Sequence, residues 1–410
     1  MKTTVKDPSP GVKAWLYVFL LCIVGCLNYL DRIMITTMRP AIKLAIPMTE
    51  ADFGLLTAVF LWVYGLCSPF AGYLSDRFKR SSVIIASLFL WSAVTWLTAH
   101  ATTFGELVTT RALMGISEAC YIPAALALIM DYHKGATRSF ATGLHMAGIL
   151  TGQSLGSIGG YLSEHHEWNY PFKLFGVAGM AYAIILAISL RDVPDRAEVR
   201  RKGDVQLSRA MHTLFREPSF ILVLICWTLI GICGWIVLGW LPSYYMETFN
   251  LSQALSGVYS TTYISLAGLA GVVLGGFLAD RWQRVNPMAR ILVPAIGVFL
   301  AAAGVLLGSN SVVLILTIGG FVLYALTKAF SDANMMPVLC MIVDTRYIAT
   351  GYGILNFFAC LAGGVGLYAG GLLRDAEINI RNIFLAAGVL LFVCGFLLIA
   401  VIKRMRMTAV

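Results

Sequence analysis

Runs of about 20 mainly apolar residues, the length that crosses a bilayer as a helix, recur from one end of this chain to the other. Within hydrocarbon each backbone N–H and C=O must be bonded inside its own segment, so runs of this kind span as helices. With 59% of its 410 residues hydrophobic and 12% charged, and a mean hydropathy of +0.79, the chain is too apolar for a water-soluble globule. Bounding the runs by charged and turn residues predicts twelve spans, at about 13–38, 51–74, 81–100, 104–131, 138–162, 172–190, 218–246, 256–279, 288–308, 311–343, 347–373 and 382–403. The expected fold class is an all-α membrane protein with twelve transmembrane helices. The first run outlasts a signal-peptide core and no small-residue cleavage site follows it, which makes it a retained span.

Loop charge sets the expected orientation. The connections after spans 2, 4, 6, 8 and 10 carry Arg77, Lys79 and Arg80; Lys134 and Arg138; a run from Arg191 to Arg216; Arg281, Arg284 and Arg290; and Arg346. The tail adds Lys403, Arg404 and Arg406. Opposite loops, such as His100 to Glu106 and Glu247 to Ala254, have no Lys or Arg, while Arg39, Lys43 and Lys173 are exceptions. By the positive-inside rule both termini are expected in the cytoplasm, with the protein in a bacterial inner membrane. The same rule accounts for the net charge of +9, so no nucleic-acid partner is expected. The nine cysteines lie inside apolar runs, with no CxxC and no ligand-spaced His/Cys cluster, as small core residues do.

The longest connection, holding Asp192, Asp195, Arg200, Arg201 and Lys202, divides the chain into a six-helix bundle at 1–190, a linker at 191–217 and a second six-helix bundle at 218–410. A repeated string supports duplication. Gly72-Tyr-Leu-Ser-Asp76-Arg77-Phe-Lys-Arg80 after span 2 returns as Gly276-Phe-Leu-Ala-Asp280-Arg281-Trp-Gln-Arg284 after span 8, 204 residues on. Parallel six-span repeats with a site between them at mid-membrane are one way to build an alternating-access carrier. This G-x-L-x-D-R-x-x-R string resembles the loop signature of the major facilitator superfamily, and with twelve spans the resemblance covers the whole chain. Two further strings, Asn28-Tyr29-Leu30-Asp31-Arg32 in span 1 and Arg111-Ala-Leu-Met-Gly115-Ile-Ser-Glu118-Ala in span 4, resemble the anion:cation symporter branch (sialin, hexuronate and galactonate carriers). They are similarly close to the Spinster lysolipid carriers. The resemblance implies two pseudo-symmetric bundles, a monomer, and transport driven by a proton gradient with no cofactor.

Charge inside the spans marks the candidate site. An ionisable residue at a helix centre costs roughly 2.5 to 3.5 kcal/mol on insertion scales and usually faces a polar path. Asp31 and Arg32 are adjacent, so on a helix they point about 100° apart. Arg111 and Glu118, seven residues apart, share one face of span 4, and Gly115 near that stripe admits close approach of another helix. Counting depth from the span ends puts Asp31, Arg32 and Arg111 beyond the centre and Glu118 near the midplane. An Asp31–Arg111 pair is therefore expected. Glu118, withdrawn from water, is placed to take and release a proton, and Arg32 to hold a substrate carboxylate bidentately. The resemblance implies the same task for Arg32. Asp31 and Glu118 are the candidate proton-coupling residues; a buried ion network that only packs the helices is the plain alternative.

Other polar residues extend the candidate substrate site. Tyr29 stands beside the charged pair, and Tyr64 and Gln153 fall near the centre of spans 2 and 5. Tyr64 resembles a substrate-contacting Tyr of the galactonate-type carriers. In span 10, Lys328 and Asp332 are spaced for an intrahelical pair, or Lys328 contributes to anion binding; Asn334 lies close by. Asn356 and the aromatic wall of Trp235, Trp240, Tyr244 and Tyr263 either complete the site or form an interfacial belt. His145 reads as a helix contact before a proton relay, and the Gly148, Gly152, Gly156, Gly160 line as a helix-packing face. Pro337 and the glycines of span 11 offer places to bend. Asp76, Arg77, Asp280 and Arg281, at the cytoplasmic ends of spans 2 and 8, are expected to act as conformational latches. Arg77 also suits a topology anchor.

No HExxH or Walker string occurs, no nucleophile elbow is expected because the G-x-S-x-G match from Gly152 to Gly156 lies inside an apolar span, and the Glu164-His165-His166-Glu167 cluster reads as a solvated turn and not a metal site. The expectation is a proton-coupled symporter for a small organic anion such as a sugar acid, hexuronate or sialic acid. One rival is a Spinster-like lysophospholipid carrier. Another is a non-transporting membrane sensor, which the lack of a sizeable soluble domain disfavours.

Overall fold

The structure, a computed structural model, describes residues 11–133, 137–192, 207–343 and 347–408. Side chains at 69, 72, 73, 76, 138, 139, 207–210, 348, 349 and 408 are outside that description. Lys134, Asp195, Arg200, Arg201, Lys202 and Arg346 therefore lie outside the described residues, as do the side chains of Asp76 and Arg138.

Every regular element among the described residues is helical. Eleven helices are long and apolar enough to cross a membrane. They are span 1 (Val12–Thr37), span 2 (Glu50–Arg77), span 3 (Arg80–Thr98), span 4 (Phe104–Tyr132), span 6 (Tyr170–Ser189), span 7 (Pro218–Phe249), span 8 (Gln253–Gln283), span 9 (Ala289–Asn310), span 10 (Leu314–Ile342), span 11 (Ile348–Asp375) and span 12 (Ile380–Thr408). The twelfth crossing, span 5, is two helices stacked end to end, Arg138–Leu155 and Ser157–His165, parted at Gly156. Its glycines, His145 and Gln153 dilute the hydropathy that marks the others. A short helix, Arg39–Ala45, follows span 1, and another, Leu207–Arg216, precedes span 7.

Local chemistry sets several of the ends. Span 2 starts at a capping box in which the Thr49 hydroxyl accepts from the Asp52 N–H at 3.0 Å and the Asp52 carboxylate accepts from the Thr49 N–H at 3.0 Å. Thr103 and Glu106 make the same motif at span 4. Span 7 ends at Asn250, whose φ of 52° is the left-handed cap that Asn tolerates. Span 4 breaks at Cys120. Pro123 lacks the N–H that would bond to Ala119, so the helix restarts at Tyr121, three residues beyond Glu118.

The small-residue line in span 5 packs as its pattern predicts. A Cβ built on Gly148 would lie 2.6 Å from the Cys22 carbonyl oxygen, on Gly152 still nearer to that of Cys26, and on Gly156 2.7 Å from Ile33. Span 5 therefore seats backbone to backbone on span 1 and fixes the direction in which Asp31 and Arg32 face. Replacing Gly152 by Val should force the two spans apart. Overpacking of this kind costs about 1–3 kcal/mol, expected as a lower melting temperature and poorer yield in detergent. A wild-type melting curve would show that the contact is dispensable.

Candidate functional site

Asp31 and Arg32 point at different neighbours. Arg32 reaches Glu118 of span 4, with Nη2 2.8 Å and Nε 3.3 Å from the same carboxylate oxygen, Oε2. Both side chains are buried, at 4% and 0% exposure. The guanidinium carbon sits 4.5 Å from the centre of the Tyr29 ring and 4.7 Å from those of Phe60 and Tyr64. Three aromatic faces thus hold one cation, a geometry in which each ring adds attraction once water is excluded.

Sequence spacing explains how these groups meet. Asn28, Tyr29 and Arg32 fall on one stripe of span 1. Phe60 and Tyr64, one turn apart on span 2, stack at 5.9 Å with 23° between their planes. Gly115 lets span 2 come close, since a Cβ there would lie 2.8 Å from the Phe60 carbonyl oxygen and 3.1 Å from the Tyr64 nitrogen. Arg111, also buried, has its guanidinium carbon 5.1 Å from the Phe60 ring and donates from Nη1 to the Met114 sulfur at 3.0 Å.

The expected Asp31–Arg111 ion pair is not formed. Asp31 turns instead toward span 3, where Thr95 donates to its Oδ2 at 3.3 Å. The reason is angular. With Arg32 directed at spans 2 and 4, the 100° step along the helix carries Asp31 to the other side. Glu118 has Arg32 as its partner, because the long Arg side chain covers the depth difference counted from the span ends. Among the described residues Asp31 Oδ1 and Glu118 Oε1 have no hydrogen-bond partner.

The remaining candidates divide. Lys328 pairs with Asp332 at 2.8 Å, the intrahelical arrangement. Asn334 donates to the Gly275 and Phe330 carbonyls at 3.2 and 2.9 Å, bonds that occupy it in packing. Gln153 is half-buried beside Gly152 and makes no side-chain hydrogen bond among the described residues; neither does Asn356, also half-buried on span 11. Trp240 and Tyr244 are core residues, whereas Tyr263 is exposed. Trp235 lines a cavity of about 20 Å³ with Arg32, Thr36, Thr57 and Arg111, room for about one water. His145 is buried and packs edge-on to Tyr121 at 5.7 Å.

Hydrogen bonds and ion pairs that join described residues of spans 1–6 to those of spans 7–12 lie at mid-depth or at the end away from the basic loops. At mid-depth the Trp62 indole donates to the Leu361 carbonyl at 3.0 Å. At the far end Arg39 bridges Glu50 at 2.8 Å and Glu247 at 3.0 Å, Arg374 meets Glu247 at 2.6 Å, and Lys43 joins Glu50. Asp375 accepts from the backbone N–H groups of Glu50 and Ala51, both at 2.8 Å, and so completes the start of span 2 from span 11. Glu164 accepts from the Gln253 N–H, which places that cluster at the seam. Toward the basic end, a Cβ on Gly353 of span 11 would meet nothing within 4 Å, whereas Gly364 and Gly371 further along touch Trp62 and Glu50. Among the described residues the two sets of spans are joined at mid-depth and closed at the far end.

Of the residues expected to latch, Asp76 has its side chain outside the described residues. Asp280 pairs with Arg290 at 3.1 Å across the loop between spans 8 and 9, inside one set of spans, and Arg77 and Arg281 are exposed. Sequence reasoning passed over Phe60, Thr95, Glu50, Glu247, Arg374 and Asp375. The one available signal was charge complementarity at the far ends of spans 2, 7 and 11, where Arg39 and Lys43 had looked like exceptions to the topology rule.

A family model described as Major Facilitator Superfamily matches residues 21–366. The chain belongs to the Major Facilitator Superfamily. Protein spinster of Drosophila melanogaster is 28% identical over 321 residues, covering 74% of this superfamily member and 53% of that protein. Human Protein spinster homolog 1 is 28% identical over 316 residues, covering 72% and 60%. The chain thus spans between half and two thirds of the length of these spinster proteins. Probable sulfoacetate transporter SauU of Cupriavidus necator is 26% identical over 395 residues, 91% of this chain and 90% of that one. A solved bacterial homologue of the human lysosomal transporter Spinster, in an inward-facing and unoccupied conformation, has the same fold, with a TM-score of 0.80, 20% identity and coverage of 96% and 98%. As a superfamily member the chain is a multi-pass membrane protein similar to Spinster proteins and to a probable sulfoacetate transporter.

Proposed function

We propose that this protein is a proton-coupled symporter that takes up a small organic anion, a sugar acid or a similarly sized acid, by alternating access between bundles 1–190 and 218–410. The observation that carries the reading is the Arg32–Glu118 pair inside its aromatic enclosure. The rings cover the faces of the guanidinium, so a ligand must approach its hydrogen-bonding edge, and Glu118 occupies that edge. An anion and a deprotonated Glu118 compete for the same donors. A proton arriving at Glu118 breaks the pair, frees Arg32 for the incoming carboxylate and cancels its charge, so cargo and proton enter together. Arg111 keeps a second positive charge nearby, and Tyr29 and Tyr64 flank the position the carboxylate takes. Asp31, buried against Thr95, is the second group placed to trade a proton.

The relative SauU, aligned over almost its full length, supports a small anionic cargo. With the basic loops in the cytoplasm, as the charge rule directs, closure at the far end makes this the inward-facing state. The Spinster relatives favour a second reading, a lysophospholipid or other amphiphile as cargo. Purified protein in liposomes with an imposed pH gradient, inside alkaline, tests both. Gradient-driven accumulation of labelled acids, sulfoacetate and gluconate among them, is expected. Movement of lysophospholipid with none of the acids would replace the first reading by the second.

A further inference from the structure

A second charged pair lies in the other set of spans. Lys328 donates to both oxygens of Asp332, at 2.9 and 2.8 Å. Unlike Arg32 and Glu118, these side chains are accessible, at 24% and 37% exposure, although they sit at the middle of span 10. A lipid-facing charge there would cost several kcal/mol, and the neighbours show that the pair does not face lipid. Lys328 Cε lies 3.9 Å from the position a Cβ on Gly234 of span 7 would take, so the side chain runs along span 7. Tyr352 of span 11, 43% exposed, is within charge–charge range of both Asp332 and Tyr29. Cys360, eight residues further along span 11, is within range of Arg32. Tyr352, Asn356 and Cys360 form one stripe, about 12 Å long at 1.5 Å per residue, with Lys328 and Asp332 near one end and Arg32 near the other.

We propose that Lys328 and Asp332 form a second charged subsite, in which Lys328 takes the second ionised group of a two-ended acid and Asp332 takes the proton that this exchange requires. The inference rests on the anion reading above and narrows it. Charge balance leads to it. At mid-depth three cations, Arg32, Arg111 and Lys328, balance three carboxylates, Asp31, Glu118 and Asp332, in number. A one-ended acid displaces one carboxylate and enters with one proton, on Glu118. A two-ended acid must also displace Asp332 from Lys328, and only a second proton keeps the loaded site neutral, the state that crosses most readily. The ionisable groups facing the pair are Tyr352 from span 11, Cys233 from span 7 and Tyr324 of span 10 itself. None of them is a competing cation. Asn356, midway along the stripe, suits hydroxyl groups between the two acid ends.

Glucarate and gluconate differ in one terminal carboxyl group and serve as the probe pair. In liposomes the proton-to-cargo ratio, read from the pH difference that stops net flux at a fixed cargo gradient, is expected near 2 for glucarate and near 1 for gluconate, one proton per carboxylate neutralised. Lys328→Gln should lower the glucarate-to-gluconate ratio of kcat/KM by about 10-fold or more, as loss of a charged hydrogen bond does. Asp332→Asn should bring the glucarate proton ratio down by one. If the single variants do not fold, the double variant Lys328→Gln with Asp332→Asn leaves no orphaned charge and should show the same loss of glucarate preference. Equal proton ratios for the two acids, or an unchanged preference in the variants, overturn the subsite alone. Flux of neither sugar acid overturns the subsite, and flux of no acid at all, sulfoacetate included, overturns the anion reading with it.

Discussion

Glu118→Gln is expected to abolish uphill accumulation. The variant should equilibrate labelled acid to the outside concentration and go no further, while exchange of internal for external acid persists. The reason is the shared edge of Arg32. A glutamine cannot be deprotonated, so Arg32 stays permanently available, cargo binds whatever the pH, and the proton gradient loses its handle on the cycle. Removing one partner of a buried pair also destabilises, by about 3–5 kcal/mol in typical cases, so the melting temperature must be followed in parallel. Glu118→Asp serves as the folded control, since it keeps a titratable group with a shorter reach. Gradient-driven accumulation by Glu118→Gln at the wild-type level would remove Glu118 from coupling.

Reversing the charge at Arg39 should open the end that is closed in this structure. Arg39→Glu loses pairs to Glu50 and Glu247 and sets three carboxylates together. Surface ion pairs contribute about 0.2–1 kcal/mol each, and with Arg39 and Glu50 only 10% and 14% exposed these stand at the upper end. Two lost pairs plus the new repulsion shift the balance toward the opposite opening by about 10-fold, using 1.4 kcal/mol per factor of ten. A cysteine at Thr57, which lines the small cavity beneath the closed end, reports the change through its labelling by an impermeant maleimide added from that side. Faster labelling in Arg39→Glu than in the parent is expected; equal rates would mean that apolar packing alone keeps this end shut.

Twelve crossings were legible because apolar length is a local property, and span 5 was found by its bounds even though glycine lowers its hydropathy. The four charges of spans 1 and 4 were legible too, since any ionisable residue among so many apolar ones stands out. Their pairing was not. Which of Asp31 and Arg32 turns toward span 4 depends on how span 5 seats span 1 through Gly148, Gly152 and Gly156, and that rotation is set by packing between segments more than 100 residues apart. Depth counting also treats side chains as points, whereas an arginine reaches several ångströms along the membrane normal. The far-end network was hidden for a related reason. Arg39 and Glu247 are 208 residues apart, and each alone looks like an ordinary residue at a membrane surface.

The carboxylate of Asp375 completes the first turn of span 2 from across the seam. Each time that end opens, two peptide N–H groups lose this partner, yet they do so at the membrane surface, where water takes its place at once. A bond of this kind can be broken and remade in every cycle without leaving the helix incomplete. The same contact at mid-membrane would have no substitute, and a carrier built on it would close once and stay closed. Depth therefore decides which polar contacts are reusable hinges and which, like Arg32 with Glu118, must be exchanged for cargo and proton before they can part.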